Sequence, residues 1–130
     1  GDGLVNYGRM KNVFQHCDKL LDVLMKDKAS QVYFNMPVDP VALGIPQYVN
    51  IVTNPMDLGT VKERLESEHY ESVEQFVSDV DLVWNNAILF NPPGNDVHEC
   101  AKALRDMFSK RVKQLPKPPG TERMSNGGGG

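Results

Sequence analysis

The chain has 130 residues, 40% of them hydrophobic, and a formal net charge of −3 at neutral pH. This length and composition suit one domain with one hydrophobic core. A mildly acidic chain is a poor candidate for general nucleic-acid binding, which needs a basic face to neutralise phosphates, so direct nucleic-acid binding is not expected and a basic partner suits the charge better. Because the sequence has no apolar run of about 18 residues and no visible signal peptide, we expect no membrane role.

The cysteines and histidines give no sign of catalysis or metal binding. Cys17 and Cys100 form no CxxC pair and fall on apolar stripes, so we expect buried, reduced thiols of an intracellular protein. His16, His69 and His98 have no partners at catalytic spacing, and we expect them at the surface or in capping roles. Because no serine or cysteine stands with a recognisable base, we expect a non-enzymatic protein without metal or cofactor.

Four stretches, at 10–24, 58–65, 73–90 and 97–115, carry apolar residues at the i, i+3, i+4 spacing of amphipathic helices. No stretch shows the alternation that is typical of a half-buried strand. Helices with one apolar stripe each bury those stripes against one another, and the economical arrangement is an antiparallel bundle. The sequence therefore predicts an all-α fold built from four helices.

The ends of two of these helices carry sequence signals. Ser72 and Gln75 form a predicted capping box at the start of the third helix. The fourth helix has two candidate N-caps, Asn95 and Asp96, and Pro116 is expected to stop it.

The segment 28–56 contains several prolines, so it cannot be a single helix, yet it is rich in large apolar side chains that a solvated linker would not carry. We expect an ordered loop that folds against one end of the bundle, with a short helical turn near 48–52. For the chain as a whole we expect a flexible N-terminus at 1–7, a folded domain at 8–115 and a disordered Pro/Gly-rich tail at 116–130. Because the chain starts with Gly1 rather than Met, we also expect it to be a fragment.

The first and third loops of an up-down bundle lie at the same end. Here the long apolar loop and Asn91, which starts the tight turn 91–95, would meet at that end. An apolar pocket with a few convergent polar groups is the usual pattern of a binding site. From its position alone, Asn91 could equally be a helix-ending residue before a proline.

Several motifs, in order and at matching spacing, closely resemble the bromodomain family: Pro-Val-Asp at 37–39, Tyr48, Asn-Pro-Met-Asp-Leu-Gly-Thr-Val at 54–61, Trp-Asn-Asn-Ala at 84–87 and Phe-Asn-Pro-Pro-Gly at 90–94. The resemblance covers about 8–115 and looks strongest for the bromodomain-and-extra-terminal group and its plant relatives. It implies a left-handed bundle of helices named Z, A, B and C, with a long ordered ZA loop and a short BC loop. It also implies a non-catalytic reader of acetyl-lysine.

The resemblance assigns site roles residue by residue. Asn91 would donate a hydrogen bond to the acetyl carbonyl, and Tyr48 would hold the same carbonyl through an ordered water. The residues that match the pocket wall are Phe34, Val38, Leu43, Ile45, Ala87, Phe90 and Val97, and those that match the rim are Val32, Tyr33 and Pro37. By themselves, Val38, Leu43, Ile45 and Val97 could be plain core residues.

One motif departs from the family pattern. The family often carries a Trp-Pro-Phe shelf, and the matching residues here are Val32, Tyr33 and Phe34. Phe34 keeps the inner contact, whereas the outer shelf is expected to be smaller and more polar.

The implied partners are acetylated lysine peptides, above all the tails of histones H3 and H4, and other subunits of chromatin complexes are possible. The family implies a monomeric domain in the nucleus. The acidic stretch 57–81 could steer a basic tail or could be a solvated helix surface. Two other functions are compatible with a helical bundle: a scaffold that has lost acetyl-lysine binding, and an acetyl-transferring or deacylating enzyme. The missing nucleophile, metal cluster and phosphate loop disfavour the enzyme.

Overall fold

The structure, a computed structural model, describes residues 2–116 of the chain. Its helices are, in chain order, α1 (Asp2–Lys26), α2 (Lys28–Tyr33), α3 (Tyr48–Ile51), α4 (Leu58–Glu66), α5 (Val73–Phe90) and α6 (Asp96–Val112). Residues 2–116 contain no strand, and none of their helices is long and apolar enough to cross a membrane. The predicted all-α fold class is confirmed.

The four longer helices, α1, α4, α5 and α6, pack against one another as an antiparallel bundle and correspond to the four predicted helices. Their bounds differ in detail, since α1 begins at Asp2 and α6 ends at Val112 rather than near residue 115. The two short helices belong to the long connection 27–57 between α1 and α4, called loop one below. Helix α3 matches the turn predicted near 48–52, whereas the sequence pattern does not predict α2.

The proposed division of the chain stays a prediction. Helix α1 already begins at Asp2, inside the N-terminus that we expect to be flexible at 1–7. Of the tail expected at 116–130, residues 117–130 lie outside the described residues.

The core lies where the apolar stripes of the four longer helices meet. Its largest fully buried side chains are Trp84, Phe76, Phe108, Leu21 and Leu24. The rings of Phe76 and Phe108 meet edge to face with their centroids 6.1 Å apart, as do those of Phe34 and Trp84 at 5.2 Å. Burying one such leucine or phenylalanine side chain contributes about 1.5–3 kcal/mol, so the stripes on facing helices account for the assembly of the bundle.

Polar side chains cap α2, α4, α5 and α6 at their N-termini, where backbone N–H groups have no partner within the helix. The Asp57 carboxylate accepts the N–H of Thr60 at 3.0 Å and its hydroxyl at 2.6 Å, and so starts α4. Ser72 accepts the N–H of Gln75 as predicted, but the Gln75 amide oxygen accepts the N–H of Glu71 rather than that of the cap itself. Asn95, not Asp96, is the cap of α6.

Loop one is fastened to the bundle through its backbone. The carbonyls of Phe34 and Asn35 accept the N–H groups of Leu58 and Gly59, at 2.8 and 3.1 Å, where α4 begins. The side-chain amide of Asn86, buried on α5, donates to a carbonyl later in the same loop, that of Asn54, at 2.8 Å. The predicted ordered loop is therefore held at its start and near its end.

At the other end of the bundle, loop two (67–72) joins α4 to α5. Arg64 and the hydroxyl of Tyr70 both donate to the Asp79 carboxylate, at 2.8 and 2.7 Å. Burial and the neighbouring Asp79 raise the pKa of Tyr70, so its hydroxyl stays protonated and keeps donating. This cluster fixes loop two against α5.

The cysteines are both free, but only one of them is buried. Cys17 is fully buried, whereas Cys100 is half-buried because its neighbour Ala101 takes the inward position on α6, so the expectation of two buried thiols is wrong for Cys100. His16 and His69 are exposed, as expected. Among residues 2–116, no three His, Cys, Asp or Glu side chains form a group that could hold a metal ion.

Replacing Gly59 by alanine should destabilise the protein, although a glycine-to-alanine substitution within a helix usually stabilises it. A Cβ atom at Gly59 would lie 2.6 Å from the backbone oxygen of Asn35, and a backbone atom cannot move aside cheaply. Gly→Ala at an unstrained helical position stabilises by about 0.4–1 kcal/mol; here we expect a loss of about 1–3 kcal/mol. Urea unfolding measures this, with Ser109→Ala at an exposed site on α6 as the control. A Gly59→Ala protein as stable as the control would contradict the close approach.

Cys17 should resist alkylation in the folded protein. Burial raises the pKa of its thiol to about 12, so at pH 8 only about one part in ten thousand is the reactive thiolate, and the sulfur is also shielded. Iodoacetamide should therefore modify the half-buried Cys100 first and reach Cys17 only in denaturant. Mass spectrometry of the Cys100→Ser variant isolates Cys17. Equal native reaction rates of the two thiols would contradict the packing described here.

Candidate functional site

Asn91 is the residue at which α5 ends, and its side chain is held by the helix it terminates. Its backbone is extended (φ −98°, ψ 130°), and its N–H donates to the carbonyl of Ala87 at 3.0 Å. Its side-chain Nδ2 donates to the same oxygen at 2.9 Å. An asparagine amide carries two N–H donors, so one fixes the side chain and the second is the candidate donor to a ligand. Asn91 is thus a helix-ending residue before a proline, and that position does not conflict with a binding role.

The backbone carbonyl of Asn91 has a partner that sequence reasoning missed. His98, in the first turn of α6, holds its Nδ1 2.7 Å from this oxygen. The side chain of His98 is buried, so the predicted surface location is wrong for this residue. The alternative prediction, a capping role, holds in a wider sense, because His98 binds the carbonyl of the residue that caps the C-terminus of α5. A signal was present: His98 precedes the buried Ala101 and Leu104 at successive intervals of three residues, which places it on the inward stripe of α6.

Tyr48 opens α3, and its ring packs against the end of α5. Its centroid lies 4.9 Å from that of Phe90, in an edge-to-face arrangement. The residue is almost fully buried, and this burial raises the pKa of its hydroxyl. The hydroxyl therefore stays protonated at neutral pH and can donate a hydrogen bond. Through Phe90, the structure brings Tyr48 to the same end of α5 as Asn91.

The middle of loop one forms a turn with its own hydrogen bonds. The Asp39 carboxylate accepts the N–H groups of Val41 and Ala42, each at 3.1 Å. The N–H of Leu43 reaches the carbonyl of Asp39, and that of Ile45 reaches the carbonyl of Pro40 at 2.8 Å. An Asp side chain that bonds the backbone two and three residues ahead stabilises such turns locally. This turn gives the predicted wall residues of loop one a defined backbone.

The predicted site residues differ in burial. Three are buried (Phe34, Tyr48 and Ala87), and six are half-buried (Val38, Ile45, Phe90, Asn91, Val97 and the rim residue Tyr33). The remaining three are exposed, namely Leu43, Val32 and Pro37. Direct contacts join Tyr48 to Phe90, Asn91 to Ala87 and Tyr33 to Phe34. That Val38, Leu43, Ile45 and Val97 face Asn91 across a pocket stays a prediction.

Much of the apolar content of loop one is exposed rather than packed on the bundle. Large hydrophobic side chains there keep more than half of their surface in contact with solvent: Val32, Met36, Val41, Leu43 and Val49. We call these five residues the apolar rim; of the three predicted rim residues it includes only Val32. From residue 29 to residue 56 the only charged residue is Asp39, and there is none from residue 82 to residue 95. Exposed apolar side chains in a segment with so little charge are typical of a binding surface.

The acidic stretch 57–81 lies mostly away from this end. Helix α5 rises 1.5 Å per residue, so Asp81 is about 15 Å and Glu74 about 25 Å along the axis from Asn91. Part of the charge there is also paired, since Asp79 binds Arg64. These carboxylates can act on a basic partner at long range but do not line the candidate site.

A groove of about 780 Å³ lies at the opposite end of the bundle between α1 and α4. Phe14, Leu65 and Tyr70 supply its apolar surface, and lysine and glutamate side chains edge it. It contains none of the residues that the motifs single out.

A family model described as Bromodomain matches residues 17–103. Bromodomain-containing factor 2 of Saccharomyces cerevisiae is 44% identical over 102 residues, which are 77% of this chain and 16% of that protein. Transcription factor GTE5, chloroplastic, of Arabidopsis thaliana is 50% identical over 99 residues, 76% of this chain and 20% of the relative. Transcription factor GTE4 of the same plant is 43% identical over 111 residues, 85% of this chain and 14% of the relative. The chain thus spans a fifth or less of the length of these relatives.

Proposed function

The chain belongs to the bromodomain family, and on that premise we propose that it is a non-catalytic reader of acetylated lysine in chromatin and transcription regulation. The observation that carries the proposal is the Asn91 side-chain amide, fixed by the carbonyl of Ala87 at the end of α5 that Tyr48 of the apolar loop one also reaches.

The chemistry of the ligand suits this end of the bundle. Acetylation removes the charge of a lysine and leaves a neutral amide on an apolar stem. A neutral side chain can enter an apolar cavity, whereas burying an ammonium without a partner costs far more. The acetyl carbonyl still needs a donor, and the second N–H of Asn91 can supply it. The protonated hydroxyl of Tyr48 can hold the same carbonyl through an ordered water, which is nearly as favourable as a direct bond.

The apolar rim of loop one would contact the peptide residues that flank the acetyl-lysine. An acetyl-lysine side chain has about eight heavy atoms, and at about 0.3–0.7 kcal/mol each it contributes roughly 2–6 kcal/mol. Binding tighter than about 0.1 mM then needs further contacts or a second module. Val32, which is 73% exposed where the family often has a tryptophan, offers less apolar surface to those flanking residues.

For the whole protein we propose a nuclear role, with the acetylated tails of histones H3 and H4 as ligands and other chromatin-complex subunits as further partners. The names of the relatives, a bromodomain-containing factor and transcription factors, support this setting. We propose that the domain acts as a monomer, without binding nucleic acid directly.

The altered shelf motivates one other function, a helical scaffold that does not bind acetyl-lysine. An array of acetylated histone peptides separates the two proposals. Binding of peptides that carry acetyl-lysine, and weaker binding of the same peptides unmodified, supports the reader. Silence across the array favours the scaffold.

Asn91→Ala should abolish binding of an acetylated histone peptide. The variant loses the donor to the acetyl carbonyl, and a lost hydrogen bond that leaves a buried acceptor unpaired costs about 1–3 kcal/mol, or roughly 5-fold to 150-fold in affinity. Because the bond to Ala87 is lost as well, we also expect a fall of about 1 kcal/mol in stability. Isothermal titration calorimetry measures the affinity. Asn85→Ala, an exposed asparagine on the same helix, is the control and should bind normally; undiminished binding by Asn91→Ala would refute the role.

Tyr48→Phe should weaken binding without harming the fold. The ring still packs on Phe90, but the water that bridges to the acetyl carbonyl loses one partner, so we expect a cost of about 1 kcal/mol, or several-fold in affinity. Tyr70→Phe is the matched control, because it removes a hydroxyl that is bonded to Asp79 at the far end. It should lower the thermal midpoint and leave affinity unchanged. Equal losses of affinity in both variants would count against a specific role for the Tyr48 hydroxyl.

A further inference from the structure

We propose that His98 is a positioning residue for the acetyl-lysine site: by donating its Nδ1–H to the backbone carbonyl of Asn91, it holds that residue, and so its amide, in the orientation that binds the ligand. The inference rests on the proposed function, because it assigns a role around the same asparagine. It concerns a residue of α6 that need not touch the ligand.

The contact is short and shielded. His98 Nδ1 lies 2.7 Å from the oxygen of Asn91, and His98 is only 6% exposed. The acceptor is a backbone carbonyl and has no proton to give, so the ring must donate. A hydrogen bond in so buried a place is little weakened by competing water, which makes it suitable for fixing a backbone position.

Asn91 depends on this bond because the chain around it supplies no substitute. Its N–H and its Nδ2 both bond the carbonyl of Ala87, so α5 holds the amine side of the residue and not its carbonyl. The next two residues, Pro92 and Pro93, have no N–H at all. The two N–H groups that follow are already used: Gly94 donates to the Glu99 carboxylate and Asn95 donates to the carbonyl of Pro92.

His98 is itself fixed within the first turn of α6. The cap residue Asn95 accepts the N–H of Val97 at 2.8 Å, and its carbonyl accepts the N–H of Glu99 at 3.0 Å. The buried side chains of Ala101 and Leu104 continue the same inward stripe. Packing of α6 in the bundle therefore fixes the His98 imidazole, and the imidazole in turn fixes the end of α5.

Two substitutions separate the hydrogen bond from the packing. His98→Leu keeps an apolar side chain of similar bulk but removes the donor. His98→Asn restores an N–H close to the position of Nδ1, because the amide nitrogen of Asn and the Nδ1 of His are the same number of bonds from the backbone. A purely structural role would rank leucine as good as or better than asparagine at a buried position, whereas a positioning role predicts the reverse for ligand affinity.

The test uses the 130-residue chain and a short peptide that carries one Nε-acetyl-lysine. Calorimetry should show about 10-fold weaker binding for His98→Leu and recovery to within about threefold of the parent chain for His98→Asn. The proposal is overturned if His98→Leu binds normally, or if both variants weaken binding to the same extent.

A second readout needs no ligand and separates the two proposals. The side-chain amide signals of Asn91, assigned in NMR spectra by their loss in Asn91→Ala, should shift or broaden in His98→Leu and return in His98→Asn, while those of the exposed Asn85 stay in place. If the parent chain binds no acetylated peptide, the proposed function fails, yet these signals still decide the inference: unchanged Asn91 signals in His98→Leu overturn it.

If His98→Leu does not fold, the parent chain decides the matter. The ring of His98 should then show a protonated Nδ1 whose proton exchanges slowly with solvent. An unprotonated Nδ1 would overturn the proposal.

Discussion

The pairing of loop one with the start of α4 is the interaction on which the rest of the structure depends. The first N–H groups of a helix have no partner within it, and buried backbone carbonyls outside a helix need a donor from elsewhere in the chain. Here the carbonyls of Phe34 and Asn35 meet the N–H groups of Leu58 and Gly59, so each set satisfies the other. The missing Cβ of Gly59 is what allows the two backbones to come so close. The chain between residues 35 and 58 therefore forms one closed loop at the end of the bundle. This loop carries Tyr48 and the predicted wall residues of loop one, and it does not bury all of them in the core.

That end of the bundle differs in chemistry from the rest. Elsewhere, charged side chains pair along the helix surfaces, as Lys62 does with Asp18 and Asp22. Here loop one has a single charged residue between positions 29 and 56, and the apolar rim faces solvent. The polar groups that motifs single out are an amide held by Ala87 and a hydroxyl whose burial keeps it protonated. A surface of this kind costs solubility unless something covers it, which suits a ligand with a neutral polar head on an apolar stem.

The sequence determined the helices better than the loops. Apolar spacing located α4, α5 and α6 because each buries one continuous stripe, and Ser72 marked a helix start because its hydroxyl caps a backbone N–H there. Spacing could not locate α2, which is too short to show a period. It also could not tell which apolar residues of loop one would stay exposed, since Met36 and Val41 look like core residues until the path of the loop is known. The burial of His98 was not predicted because histidine is polar and is usually found at the surface. Its spacing to Ala101 nevertheless puts it on the buried stripe of α6.

The most direct measurement is a crystal structure of the 130-residue chain with a peptide that carries one acetyl-lysine. The acetyl oxygen should lie about 2.7–3.2 Å from Nδ2 of Asn91, with the lysine stem between loop one and the end of α5 and a water near the hydroxyl of Tyr48. An Asn91 side chain turned away from the peptide, or a cavity filled by loop one itself, would contradict the assignment of this end of the bundle as the binding site.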